Sequence, residues 1–236
     1  MLSNNIEDAI KNCPTLKNAN IGELSKIGKL VHFDSGEIII QDKSDEQNLY
    51  FIVEGIVSLY KLNMYGGKKA ILILGPGKAL NETVMSEKSA SIFARSVTKT
   101  TLLSFSKESF KKYLLSDADT ALNLIDSMSL KIRRLYHQLK NTCKSYHLDK
   151  QIASKLWKLG RDFGVPSSID TNTPCIKIDF KMSTISLAEL MGTTRESTSR
   201  SLKVLFEKNL VCTKNGYFLI KDIEELRKYS LHPKID

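Results

Sequence analysis

The sequence predicts an α+β chain in three parts: an N-terminal β-barrel or roll, a long dimerisation helix and a C-terminal winged helix-turn-helix. Three observations predict it. Short runs of branched and aromatic residues between Ile38 and Leu74 are separated by glycines. A stretch without proline or glycine then runs from Asp117 to Tyr146, with apolar residues on alternating steps of three and four. Finally, Ile185 to Leu210 reads as two short helices about a tight turn, followed by two short runs joined by Asn215-Gly216. The expected boundaries are 1–115 for the roll, 116–148 for the long helix and 149–236 for the C-terminal domain.

Residues up to about Leu30 read as polar helices, IEDAIKN and then IGELSKIGKL. Beyond them Ile38 to Ile40, Leu49 to Val53, Val57 to Leu62 and Ala70 to Leu74 read as strands, with Gly36, Gly55, Gly66-Gly67, Gly75 and Gly77 as their turns. Such glycine-punctuated strands suit a barrel or roll. In the long helix Ala118, Ala121, Ile125, Met128, Ile132, Leu135, Leu139, Thr142 and Tyr146 fall on the a and d positions of successive heptads. A helix packed on its own domain would show the same periodicity. At about 1.5 Å per residue, however, this one is a rod on the order of 45 Å, too long to hide inside such a roll. A homodimer is therefore expected, with Ile125, Met128, Ile132, Leu135, Leu139, Thr142 and Tyr146 at the interface.

Leu148 to Phe163 reads as a second amphipathic helix, with Ile152, Leu156, Trp157 and Leu159 directed to a core. The segment GVPSSIDTNTPC reads as a surface loop, IKIDF as a strand, and Asp222 to Tyr229 as a last helix covering the wing. Within the helix-turn-helix, Leu187, Leu190 and Met191 form one apolar face, Gly192 is the break, and Leu202, Leu205 and Phe206 recur in the second helix. The turn and the exposed side carry Thr193, Thr194, Arg195, Glu196, Ser197, Ser199, Arg200 and Lys203, the candidate DNA contacts. Arg can fork onto guanine, Glu can accept from cytosine N4, and small hydroxyls reach phosphates or base edges. Glu196 and Arg200 are also spaced for an intrahelical ion pair on a solvated face.

A net charge of +9 over 236 residues, with pI near 9.3, favours a polyanionic partner, nucleic acid or an anionic membrane surface. No apolar run approaches the roughly 20 residues of a membrane span, and MLSNNIEDAIKNC lacks the regions of a signal peptide. A cytoplasmic protein without a membrane partner is expected. Cys13, Cys143, Cys175 and Cys212 are scattered without metal-ligand spacing, so neither a metal nor a disulfide framework is expected. His32, His137, His147 and His232 are dispersed, and there is no nucleophile elbow or phosphate loop, so no catalytic residues and no enzyme are expected.

The run Arg195, Glu196, Ser197, Thr198, Ser199, Arg200 resembles the Arg-Glu-x-x-Ser/Gly-Arg pattern in the recognition helix of the Crp/Fnr transcription regulators. The resemblance extends over most of the chain. SGEIII, NLYFIVEGIVSLY and LGPGKAL look like the strands of the double-stranded β-roll of cyclic-nucleotide-binding domains, with Asp42-Lys43 where a glycine is usual. It implies that Arg195, Glu196 and Arg200 touch bases, with Ser199 at the position that varies between branches. It also implies a homodimer on a palindromic double-stranded DNA operator with TGA-like half-sites, and RNA polymerase as a partner.

Gly77 to Thr100 matches the length of the phosphate-binding cassette of those domains. By that resemblance Glu82 is retained, Asn81 replaces a glycine, and Ile92 and Phe93 replace the phosphate-holding Arg-Ser pair. Alternation along a strand puts Arg95 on the face opposite Ile92. Cyclic AMP is therefore not expected as a ligand. The expected effector pocket is lined by Leu80, Asn81, Glu82, Ile92 and Phe93, with Ile132 and Tyr136 from the long helix, and suits a small apolar or aromatic molecule. The iron–sulfur sensors of the family bunch several cysteines near the N-terminus, where this chain has Cys13 alone, so no iron–sulfur cluster is expected. An effector-independent regulator is an open alternative. A sensing module without regulatory DNA binding would fit residues 1–148 but leaves the basic recognition helix unexplained.

Overall fold

In a computed structural model, described over residues 5–64, 66–86, 89–142, 147–169 and 173–231, the chain divides into two compact units. Residues 1–62 with 70–138 form the first, and residues 63–69 with 139–236 the second. Among the described residues no helix is long and apolar enough to cross a membrane.

The first unit opens with α1 (Ile6–Lys11), a 3-10 turn at Pro14–Leu16 and α2 (Ile21–Ile27). Eight strands follow: β1 (Gly28–Phe33), β2 (Ile38–Ile40), β3 (Asn48–Glu54), β4 (Val57–Leu62), β5 (Lys68–Leu74), β6 (Ala79–Leu80), β7 (Phe93–Ser96) and β8 (Thr100–Ser106). They make two sheets, ordered β1-β8-β3-β6 and β2-β7-β4-β5. Alternation divides their side chains between two cores. Tyr50, Ile52 and Leu102 from the first sheet meet Ile40, Val57, Leu59, Leu72, Leu74 and Ala94 from the second. On the other face of the first sheet Leu49, Phe51, Leu103 and Phe105 pack against the helices through Ile10, Leu24 and Phe110.

In the first unit one boundary and one element differ from the sequence reading. The helix expected up to Leu30 stops at Ile27, because Gly28 to Phe33 pair antiparallel with Phe105 to Thr100 and send Leu30 to one core, Val31 and Phe33 to the other. A helix not expected from the sequence, α3 (Lys107–Ser116), follows β8. Ser106 caps it by accepting the Ser109 N–H, and Phe110 and Tyr113 are buried.

The long helix is α4 (Ala118–Thr142), opened by Asp117 accepting the Thr120 N–H at 2.9 Å. Leu124 and Met128 pack into the core on the helix side of the first sheet, and Leu135 against the core between the sheets. Leu122, Ile125, Ile132 and Tyr136 point away, 63, 58, 45 and 68% exposed. The residues of the expected seam divide between two faces of the helix. Ile125 and Ile132 belong to the outward stripe, but Met128 and Leu135 are held by the protomer's own cores. The helix includes Leu139 and Thr142, whose side chains, like all of Tyr146, lie outside the described residues.

The second unit contains α5 (Leu148–Phe163), β9 (Gly164–Ser168), β10 (Pro174–Ile178), α6 (Thr184–Met191), α7 (Arg195–Glu207), β11 (Val211–Lys214), β12 (Tyr217–Ile220) and α8 (Ile223–Leu231). Its antiparallel sheet runs β11-β12-β10-β9. The expected loop GVPSS is therefore a strand. Pro166 is tolerated because β9 lies at the sheet edge, opposite Ile176, where a missing N–H leaves no inner ladder incomplete. Ile152, Leu156, Ile178, Leu187, Leu202, Leu205, Phe218, Ile220 and Leu226 are buried, with α5 packed against both α7 and α8. Trp157, expected in that core, is instead half-buried between the guanidinium groups of Arg161 and Arg227, 5.2 and 5.4 Å from its ring.

Candidate nucleic-acid interface

The turn between α6 and α7 is set by local chemistry. Ser183 caps α6 through the Ser186 N–H, and Gly192 ends it at φ 65°, the left-handed conformation that a residue without Cβ takes at little cost. Thr193 N–H returns to Ala188 O at 3.1 Å, closing the helix end. Thr194 then caps α7, its Oγ1 accepting the Ser197 N–H at 3.2 Å and lying 3.1 Å from Ser197 Oγ.

With Thr198, Leu202 and Leu205 turned into the core, the opposite side of α7 presents Arg195, Glu196, Ser199, Arg200 and Lys203, all exposed. The structure thus brings the expected contact residues to one face. Thr194 and Ser197 are partly engaged in capping, and Thr193 is half-buried in the turn. The Glu196 to Arg200 ion pair allowed by their spacing is not formed, and among the described residues neither has an ion-pair partner. Lys203 approaches Glu207 at 3.8 Å, both exposed, a weak and salt-sensitive contact. The forks and acceptors of Arg195, Glu196 and Arg200 are therefore available to an external partner.

Beside the wing stand two cations that the motif does not include. Asn215 and Gly216, both at positive φ, form the two-residue turn between β11 and β12. Gly216 O accepts the Met182 N–H at 2.9 Å, tying the hairpin tip to the segment that enters α6. Lys177 and Lys181 lie over the Tyr217 ring at 4.9 and 6.0 Å. The two stand on different segments, Lys177 within β10, where it also pairs with Asp179 at 3.1 Å, and Lys181 between β10 and α6, so no single motif marks them together.

The cassette of the roll differs from its expected form. Leu80 is fully buried. Asn81 takes φ 63°, so it supplies the left-handed backbone that glycine would, and its Nδ2 donates to Asn48 O and Glu46 O. Lys43, in place of the other usual glycine, does the same at φ 65°. Glu82 is buried and accepts Lys131 Nζ on both oxygens, at 2.5 and 2.7 Å. Ile92 leans on the core between the sheets, whereas Phe93 faces outward, stacked on Tyr60 at 5.0 Å and 12°. Arg95 faces outward as expected, its Nε donating to Gly36 O. Within one protomer the expected pocket is therefore not a single site: Phe93 lies on the far face of its sheet, and Ile132 and Tyr136 point away from the roll. A small cavity of about 70 Å³ lies between roll and helix instead, lined by Leu74, Lys78, Ala79, Ser127, Leu130, Lys131 and Arg134.

Among the described cysteines, burial pushes the Cys13 thiol up to about 11, so it is shielded and scarcely ionised at neutral pH. Cys175 is buried and Cys212 half-buried. Among the described residues no cluster of His, Cys, Asp or Glu could hold a metal.

The family model described as the cyclic nucleotide-binding domain matches residues 30–117, and that of the Crp-like helix-turn-helix domain matches residues 150–229. The chain is 23% identical over 212 residues to the nitrogen fixation regulation protein FixK of Bradyrhizobium diazoefficiens, covering 89% of this chain and 85% of that protein. It is 26% identical over 182 residues to the global nitrogen regulator of Synechocystis, covering 76% and 78%. The solved structure of FixK2 from Bradyrhizobium japonicum shares the fold at a TM-score of 0.74 and 17% identity, over 88% of this chain and 99% of that one.

Proposed function

The chain belongs to the Crp/Fnr family of DNA-binding transcription regulators, and from that premise we propose that it acts in the cytoplasm as a homodimer reading a palindromic operator with two copies of α7. Regulators of this family bind DNA and act as dimers. The observation that carries the proposal here is the α7 face on which Arg195, Glu196, Ser199 and Arg200 stand exposed, with no ion pair joining Glu196 to Arg200. The outward stripe of α4, Leu122, Ile125, Ile132 and Tyr136, supplies the dimer seam. Arg195 and Arg200 contact guanines and Glu196 a cytosine, while Lys177, Lys181 and Lys203 contact phosphates. RNA polymerase is the proposed partner at the promoter. No metal or iron–sulfur cluster takes part.

The roll does not respond to cyclic AMP. Glu82, the carboxylate by which such a cassette would hold a ribose, is already occupied by Lys131, and Ile92 offers a phosphate only an aliphatic chain. The same occupied carboxylate favours an effector-independent regulator over one switched by a ribose-bearing ligand.

Selection of bound duplexes from a random pool, followed by footprinting, tests the DNA reading. An imperfect palindrome is expected, with TGA-like half-sites centred roughly 34 Å apart. Protection of one half-site alone would overturn the dimeric reading, and enrichment of no sequence at all would overturn sequence-specific binding.

A further inference from the structure

Lys131 sits on the inward side of α4, between Met128 and Leu135, where helical spacing calls for an apolar residue. Its side chain is 18% exposed and that of Glu82 8%. Nζ has three partners: the two Glu82 oxygens at 2.5 and 2.7 Å, and Ala79 O at 2.9 Å. An ammonium has three N–H donors, so this one is fully satisfied within the fold.

A buried pair of this kind contributes little net stability compared with apolar residues of the same volume, but it discriminates sharply between arrangements. The apolar contacts of α4 do so poorly. A helix shifted by one turn along the roll would again set apolar side chains over the two cores. The same shift would withdraw the ammonium from Glu82 and leave both charges desolvated and unpaired, which is the costly case. The pair therefore selects one register of α4 against the roll. That register fixes where the outward stripe lies along α4, which runs unbroken from Ala118 to Thr142.

We propose that Lys131 is a positioning residue for DNA binding: its ammonium fills the cassette carboxylate from inside the protein and holds α4 in the register from which two recognition helices engage the operator. This rests on the dimeric DNA-binding reading above. No added small molecule is then needed to bring the cassette and the helix together.

The test measures affinity for the selected operator and for a random duplex, without added ligand, on protein shown to be dimeric by sedimentation and folded by thermal melting. Lys131→Met is expected to lose at least about tenfold on the operator while changing little on random DNA. Lys131→Arg, which can still fork onto the carboxylate, should recover most of the loss. Should Lys131→Met fail to fold, the double variant Glu82→Met with Lys131→Met leaves no unpaired charge and is expected to melt like the wild type. A purely structural pair predicts that this double variant binds the operator normally, and operator binding within twofold of the wild type by a folded, dimeric variant would overturn the proposal. Wild-type protein that itself fails to prefer the operator would instead overturn the DNA-binding reading.

Discussion

Arg200 stands one helical turn beyond Glu196 on the exposed face of α7, and no ion pair holds it there. Its removal should therefore appear as a lost base contact. Arg200→Ala is expected to cost about 1–3 kcal/mol on the operator and to leave random-duplex binding nearly unchanged, measured by fluorescence anisotropy on both. Equal losses on the two duplexes would show that the residue acts only as a charge. Lys155, on α5, is a different kind of residue, because burial, reinforced by Lys158, holds its ammonium down at about 8 against an ordinary 10.5. Below about pH 8 both folded and unfolded chains carry the proton, and the full burial penalty is present. Between about 8 and 10.5 the unfolded chain holds more protons, so stability rises with pH through that window. Thermal melts at about pH 7 and about pH 9.5 should show this rise, and Lys155→Met should raise the melting temperature at the lower pH and flatten the slope. Tyr229, raised by burial and by Asp149, works in the opposite sense above about pH 10, which sets the upper end of the measurement.

At the scale of elements, what could be read from the sequence was what is local. The α6 to α7 unit and the hairpin after it rest on Gly192, the Thr194 cap and the Asn215-Gly216 turn, all encoded within a few residues. β1 and β9 were missed because their backbone partners, β8 and β10, decide them, and a helix-like or proline-containing stretch yields to that pairing. The signal for α3 was present, Ser106 followed by Phe110, Tyr113 and Leu114 at helical spacing, but the seam that begins just after it dominates the pattern. In α4 the heptad was legible and its orientation was not. Two apolar stripes run along the helix, and only packing shows that Leu124, Met128 and Leu135 face the roll while Leu122, Ile125, Ile132 and Tyr136 do not. The distinction is measurable. Ile125→Glu or Ile132→Glu should yield a monomer by sedimentation while leaving the melting of the roll within about 0.5 kcal/mol. Met128→Ala should leave the dimer in place and destabilise the roll by about 2 kcal/mol. A monomeric Met128→Ala with unchanged melting would restore the original seam.

For the molecule as a whole the question is what, if anything, the roll senses. The substitutions in the cassette were visible in the sequence, but their meaning depended on contacts between distant segments. Phe93 could not be placed on the outer face without its stack on Tyr60, nor Glu82 paired with Lys131, 49 residues away. Together these contacts argue against a cyclic nucleotide more strongly than the missing Arg-Ser pair alone. A cyclic phosphate carried to Ile92 would lose its hydration beside aliphatic groups, and Arg95 is turned to the other face and bonded to Gly36 O. The ribose would have to displace Lys131 from Glu82, leaving an ammonium desolvated on α4. Regulation requires more than binding, since a ligand shifts an equilibrium only by the difference in its affinity for the two states. Isothermal titration of the protein with cyclic AMP is therefore expected to show no heat of binding at micromolar concentrations, and operator affinity should be the same with and without the nucleotide. Micromolar binding that disappears in Arg95→Ala would mean that this guanidinium leaves Gly36 O to take the phosphate. Binding that survives Arg95→Ala but strengthens in Lys131→Met would mean that the nucleotide competes with Lys131 for Glu82, so that the pair is a switch and not a fixed pin.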